Sequence, residues 1–160
     1  DLGNILGGLF TQLIIRRGVP IPKARKIATG LFGSIMALSL LLGPFLIIGP
    51  YSALVVLALA GFGYASCAAN MLAFPADVVP LSATASVWGI GSVGSGLGGA
   101  IFQSLSGLAV MSLSAKFNYA VAYNTVFVGY GLLALIGTGI LIFMTGPLVR
   151  NKELYAYVDQ

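Results

Sequence analysis

Long stretches without any charged residue are the feature that most constrains the fold of this chain. Fifty residues separate Lys26 from Asp77, thirty-eight separate Asp77 from Lys116, and thirty-three separate Lys116 from Arg150, with no Asp, Glu, Lys or Arg among them. A helix that rises about 1.5 Å per residue needs roughly 20 apolar residues to cross a bilayer core of about 30 Å. Helices of soluble domains carry a polar face. The stretches therefore predict an all-α integral membrane protein.

Proline and glycine divide the chain into predicted membrane spans. Gly18 fits a helix C-cap, and Pro50, Pro75 and Pro80 mark turns further along the chain. The first span begins without an initiator methionine or a basic leader, so we interpret it as a truncated helix ahead of four complete ones. We expect a transmembrane half-bundle, the C-terminal part of a larger protein, over 1–147 and a polar tail over 148–160. The predicted spans are 1–16, 26–48, 51–74, 83–113 and 120–144.

The distribution of basic residues predicts the orientation of the spans. Seven of the eight basic residues lie in the tail or in the segment 16–26, which we call the basic segment, and only Lys116 belongs to the opposite side. Loops rich in Lys and Arg remain in the cytoplasm. We therefore expect the basic segment and the C-terminus to be cytoplasmic, in the cell (inner) membrane. Because the positive charge is concentrated beside a span, it does not indicate a nucleic-acid-binding surface.

Two of the complete spans, 51–74 and 83–113, are rich in small and polar residues. In 83–113, one such residue recurs every four positions, a spacing that lets helix backbones approach closely in lipid. These residues are Gly91, Ser95, Gly99, Gln103 and Gly107. The spans 26–48 and 120–144 are mostly aliphatic or aromatic. We therefore expect 51–74 and 83–113 to lie inside the bundle and the other two to face lipid, with the glycine row packed against a neighbouring helix.

Polar side chains within the spans are the candidates for substrate binding. Amides and hydroxyls inside a bilayer either line a cavity or form hydrogen bonds between helices, and the sequence leaves both roles open. The candidates are Asn4, Ser66, Asn70, Ser92, Ser95 and Gln103.

Asp1 is the candidate for ion coupling. It lies about 22 Å from Arg16 along a helix axis, hence within the bilayer. An acid at that depth is costly and usually functional. It couples a cation to transport or pairs with a buried base; alternatively, it lies near the outer interface or only locks two helices together.

Residues that carry enzyme chemistry are few in this sequence. There is no histidine, and the single cysteine, Cys67, lies in an apolar stretch. Metal sites and intramembrane active sites need clusters of His, Cys or acidic residues, or a serine paired with a base. We therefore expect neither catalytic nor metal-binding residues, no cofactor, and a protein that is not an enzyme.

The chain carries three sets of short motifs: Asp1-Leu2-Gly3-Asn4 with Gly7-Gly8, Arg16-Arg17-Gly18 with Ala24-Arg25-Lys26, and Phe74 to Pro80 ahead of the glycine-rich segment 85–91. Together they resemble the C-terminal half of a major facilitator superfamily transporter. More narrowly, the chain is similar to the anion:cation symporters that include bacterial hexuronate transporters. One departure is Gln12, which stands where the superfamily's loop signature usually has an aspartate.

The resemblance implies that these helices are the truncated eighth to the twelfth of twelve. It implies cation-coupled transport of a small organic anion, best a sugar acid such as a hexuronate, with a proton or sodium ion as the co-transported partner. Alternating access would take place between this half and an N-terminal half outside this sequence. Arg16, Arg17 and Arg25 would form a gating loop. Two alternatives stay open: an efflux or flippase member of the same superfamily, and a non-transporting membrane scaffold.

Overall fold

Five α-helices joined by short turns form the computed structural model, which describes residues 1–144. They are α1 (Leu2–Arg16), α2 (Ile21–Leu46), α3 (Pro50–Val78), α4 (Leu81–Lys116) and α5 (Tyr119–Met144). By length and composition, α2 to α5 are each able to cross a membrane, whereas α1 is shorter. For the described residues, the prediction of an all-α protein with four helices long and apolar enough to span a membrane is therefore confirmed. The predicted tail at 148–160 lies outside the described residues.

The end of α1 is specified by Gly18. This glycine has a φ of 89°, in the left-handed region that favours glycine. The Gly18 amide donates to the Ile15 carbonyl at 2.9 Å, and the Val19 amide donates to the Ile14 carbonyl at 3.4 Å. This pair of bonds is the Schellman arrangement that closes many helices. The C-cap predicted at Gly18 is thus confirmed.

Three prolines outside the predicted spans, Pro22, Pro50 and Pro75, belong to helices in the structure. Pro22 occupies the first turn of α2, which begins at Ile21 and not near Lys26. A first-turn proline costs no helical hydrogen bond, because amides at that position have no partner within the helix. Pro75 lies within α3, which continues to Val78. Membrane helices tolerate an interior proline where neighbouring groups satisfy the freed backbone.

The helix α2 occupies the centre of the described bundle, in contact with α1, α3 and α5. Three of its alanines, Ala24, Ala28 and Ala37, are completely buried. Phe32 of α2 meets two rings edge-on, Phe10 at a centroid distance of 5.4 Å and Phe62 at 5.9 Å. The expectation that this span faces lipid is wrong, because its small residues make it the helix that others approach most closely.

The closest helix contacts are made by glycines outside α4. A Cβ added at Gly63 of α3 would lie 2.7 Å from the Met36 amide nitrogen, and one added at Gly131 of α5 would lie 2.9 Å from the Leu41 amide nitrogen. Both distances are too short for a real side chain. Backbone-to-backbone packing in this protein therefore brings α3 and α5 onto α2.

Candidate functional site

A tightly packed contact joins α1 to α3, and we call it the polar seam: Gly3, Gly7, Thr11, Ser66 and Asn70. Gly3 and Gly7 lie one turn apart on α1 and are both buried. A Cβ added at Gly7 would lie 2.7 Å from the Cα of Ser66. No larger residue fits there without separating the helices, so the two glycines permit the hydrogen bonds that cross the seam.

Hydrogen bonds across the polar seam satisfy its side chains. The Ser66 hydroxyl donates to the Gly3 carbonyl at 2.7 Å. The Asn70 amide Nδ2 donates to the Ser66 carbonyl at 2.9 Å and to the Gly7 carbonyl at 3.3 Å. The Thr11 hydroxyl has two acceptors within reach, the Asn70 Oδ1 and the Gly7 carbonyl at 3.0 Å. Among the described residues, no buried side-chain nitrogen or oxygen lacks a partner.

The polar seam is closed to a ligand in this arrangement. Ser66 and Asn70 are 0% exposed, and their hydrogen-bonding groups are engaged by α1 and by their own helix. Of the two roles that the sequence left open for them, the geometry provides the hydrogen bond between helices. Substrate binding by Ser66 and Asn70 stays a prediction, and it requires α1 and α3 to move apart.

The basic segment is tied to the far end of α3 by an ion pair. Arg25, in the second turn of α2, pairs with Asp77 near the end of α3, and the two side chains are 18% and 22% exposed. Arg16 and Arg17 are exposed at the C-terminal end of α1, where a helix dipole favours positive charge. Sequence reasoning assigned Arg25 to a gate without naming its acid. The available signal was that Asp77 is the sole acid in 2–152.

Asp1 and Asn4 both lie on the exposed surface of α1. Asp1 borders a groove of about 620 Å³ between α1 and α3, in which the other lining residues are apolar or glycine. These are Leu2, Gly3, Val55, Ala58, Leu59, Gly61, Phe62 and Ala65. A groove with one carboxylate and otherwise apolar walls offers nothing to hold an anion. The structure thus separates Asp1 from Ser66 and Asn70, which lie inside the seam.

The helix α4 carries an exposed polar surface, which we call the open face: Ser92, Ser95, Gly96, Gly99, Gln103 and Gly107. Apart from the adjacent pair Ser95 and Gly96, these residues follow one another at three- or four-residue steps, so all six share one side of the helix. All six are exposed. A Cβ added at any of the three glycines would meet no atom within 4 Å. The open face therefore groups Ser92, Ser95 and Gln103 as a set of accessible polar side chains.

The expectation that α4 lies inside the bundle is not met in the described part of the chain. There, Gly91 and Gly99 have open space where a side chain would stand, and α4 contacts only α3 and α5. The row predicted from Gly91, Ser95 and Gly99 thus contacts no described helix.

A pair of hydroxyls connects α4 to α5 beside the open face. The Ser106 Oγ lies 2.6 Å from the Tyr130 Oη. The Phe102 carbonyl lies 2.6 Å from the Ser106 Oγ and 3.3 Å from the Tyr130 Oη. Sequence reasoning missed Tyr130 because it treated 120–144 as a lipid-facing span, and it missed Ser106 because this serine lies outside the four-residue row of 83–113. The signal was a tyrosine halfway along a span, away from the interfaces where tyrosine is common.

Comparisons with known proteins add no relative. No protein-family model, no curated protein and no solved structure matches this chain. The resemblance to the major facilitator superfamily therefore depends on the short motifs alone.

Proposed function

We propose that this chain is the C-terminal half-bundle of a secondary active transporter of the major facilitator type. Its substrate is a small organic anion, best a sugar acid such as a hexuronate. A co-transported proton or sodium ion drives uptake by alternating access between this half and an N-terminal half. The motifs named above support the family assignment, and the distribution of polar groups in the helices supports the transport of a polar substrate.

The open face of α4 is the single observation that carries the proposal. Ser92 and Gly107, the ends of the open face, lie about 22 Å apart along the helix, so the open face extends over about three-quarters of a bilayer core of about 30 Å. An amide such as Gln103, transferred to hydrocarbon without a partner, costs on the order of 2–7 kcal/mol. Lipid is therefore a poor environment for this face. A water-filled substrate path satisfies both its polarity and its exposure.

The distribution of charged residues supports the proposal that the two halves bind different parts of the substrate. The described helices carry no Lys or Arg between Lys26 and Lys116, so the groups that hold a carboxylate come from the N-terminal half. The hydroxyls and amides of the open face then contact the neutral part of the substrate. Asp1 is the coupling candidate on this side.

The ion pair of Arg25 with Asp77 supports the predicted orientation. It joins the Asp77 turn to the basic segment, and in the predicted topology the two spans between them return the chain to the same side of the membrane. We assign that side to the cytoplasm and propose that the pair, with Arg16 and Arg17 nearby, belongs to the cytoplasmic gate of an inner-membrane protein.

A second function, export of amphiphiles, is favoured by the groove at Asp1. Apolar walls with one carboxylate suit a lipophilic cation better than a sugar acid. Efflux predicts outward movement of a lipophilic cation, whereas uptake predicts inward movement of an organic anion. One set of vesicle experiments therefore separates the two functions.

Transport by the full-length protein tests the proposal. We expect purified protein in liposomes to accumulate labelled glucuronate under an inward proton or sodium gradient, and to lose accumulation when an ionophore removes that gradient. Gln103→Ala should raise the KM by roughly 2–10-fold, the cost of one neutral hydrogen bond. Ile101→Leu, an exposed apolar position on another side of α4, serves as the matched control. Glucuronate entry that is indifferent to both gradients, or export of lipophilic cations in its place, contradicts the proposal.

A further inference from the structure

Two proton arrangements are open to the hydroxyl pair of Ser106 and Tyr130. Each hydroxyl carries one proton and can accept through its oxygen. The shortest contact to the Phe102 carbonyl comes from Ser106, at 2.6 Å, so Ser106 donates there and Tyr130 donates to the Ser106 Oγ. In the reverse order, Ser106 donates to Tyr130, which donates to the Phe102 carbonyl at 3.3 Å. Either order uses both protons inside the protein, and only oxygen lone pairs are left for a ligand.

The position of this pair along its helices and its exposure are compatible with the proposed substrate path. Tyr130 is eleven residues from the start of α5 and Ser106 is ten from the end of α4, which is about 15–17 Å along each helix. Both therefore lie near the middle of a bilayer core of about 30 Å. Tyr130 remains 36% exposed. Gly107, next to Ser106, has open space in place of a side chain.

We infer that Tyr130 and Ser106 form an acceptor subsite for a hydroxyl group of the substrate, an inference that rests on the proposed transport function. A carboxylate is an acceptor only, so it binds here only if the Tyr130 proton turns away from its partner within the protein, at the cost of that hydrogen bond. A sugar hydroxyl brings the proton that the pair lacks. The subsite therefore orients the substrate. Its hydroxyls face the contact between α4 and α5, and its carboxylate faces the opposite half of the transporter.

Competition by singly deoxygenated hexuronates tests the subsite in the full-length protein in liposomes. For the wild type, we expect the analogue that lacks the recognised hydroxyl to compete with labelled glucuronate roughly 2–10-fold less well than glucuronate does. In Tyr130→Phe, the inhibition constant of this analogue divided by that of unlabelled glucuronate should fall to about one. The same ratio for each of the other analogues should stay unchanged. Tyr123→Phe, at an exposed tyrosine of the same helix, should keep every ratio.

Ser106→Ala provides a second variant should Tyr130→Phe fail to fold. Tyr130 then donates to the Phe102 carbonyl and keeps its lone pairs, so the selective ratio should fall by less than in Tyr130→Phe. An unchanged ratio in a folded Tyr130→Phe protein, or an equal loss of affinity for every analogue, overturns the inference and leaves the pair as a tie between α4 and α5. Absence of glucuronate uptake by the wild type is a different result, because it refutes the proposed function before any variant is compared.

Discussion

The absence of a side chain at Gly3 and Gly7 decides how closely α1 approaches α3. Gly7 and Gly8 are neighbours in the chain, yet a Cβ at Gly7 would meet the Cα, Cβ and carbonyl oxygen of Ser66 within 2.8 Å, whereas one at Gly8 would meet nothing within 4 Å. The two positions therefore form a matched pair. They separate the cost of crowding the polar seam from the general preference of a helix for alanine.

Replacement of each glycine by alanine tests this difference. Alanine gains up to about 1 kcal/mol over glycine inside a helix, so Gly8→Ala should leave the free energy of unfolding unchanged or raise it slightly. Gly7→Ala should lower it by about 1–3 kcal/mol, because the added methyl group overpacks a backbone contact. Unfolding of the purified protein in mixed micelles, with increasing denaturing detergent, measures both. Equal effects at the two positions would mean that α1 and α3 are not in close contact.

The sequence predicted some residue-level features well and others poorly. Gly18 was assigned correctly, because a left-handed C-cap depends only on local backbone conformation. The sequence shows that Ser66 and Asn70 are polar residues within a span. Their partners on α1 are about sixty residues away, so no local sequence pattern identifies them. The alanines of α2 were overlooked for a related reason. Small apolar residues resemble lipid-facing ones until a neighbouring helix is known.

Among the helices, α4 differs most from its neighbours. It combines the greatest length with an exposed polar face, and it is attached to the described bundle through α3 and α5 only. The periodicity of its glycines was evident in the sequence, but periodicity does not reveal whether a small-residue face meets a helix or water. That choice depends on what else surrounds α4 in the complete protein.

Cysteine substitution along α4 tests whether its open face contacts water. In the full-length protein, Ser95→Cys should react with a hydrophilic, charged thiol reagent, and substrate should slow the reaction. Leu97→Cys should not react, because Leu97 points away from the open face and such reagents do not enter lipid. Native Cys67 is buried, and the protein without added cysteines gives the background. Equal reactivity at both positions would show that the whole helix is wetted, and no reactivity at Ser95 would place a helix against it.

On the scale of the whole molecule, the ion pair of Arg25 with Asp77 and the count of basic residues describe the same side of the membrane. Two turns that are distant in sequence are thereby assigned to one face of the bundle. The connectivity of the chain predicts that the two turns share a face, because two spans separate them, and the charge rule assigns that face to the cytoplasm. Neither predicts the partner of each charge, which depends on how the helices pack.

Labelling in intact cells tests this orientation. Pro20→Cys, between α1 and α2, and Asn151→Cys, in the tail outside the described residues, should both resist a membrane-impermeant thiol reagent and react once the cells are opened. Phe117→Cys, at the exposed turn between α4 and α5, is the matched position on the other side and should react from outside. Labelling of either of the first two in intact cells would invert the assignment.

The polar seam also has a consequence for how the protein is made. Thr11 and Asn70 are 59 residues apart in the chain. A ribosome that adds roughly 5–20 residues per second needs about 3–12 s to synthesise that interval. During this time the Thr11 hydroxyl has no Asn70 to meet, and α1 waits at the insertion machinery or in lipid with its glycine surface uncovered. The polar seam is therefore a late event in synthesis, and α1 depends on the arrival of α3 before it reaches its final position.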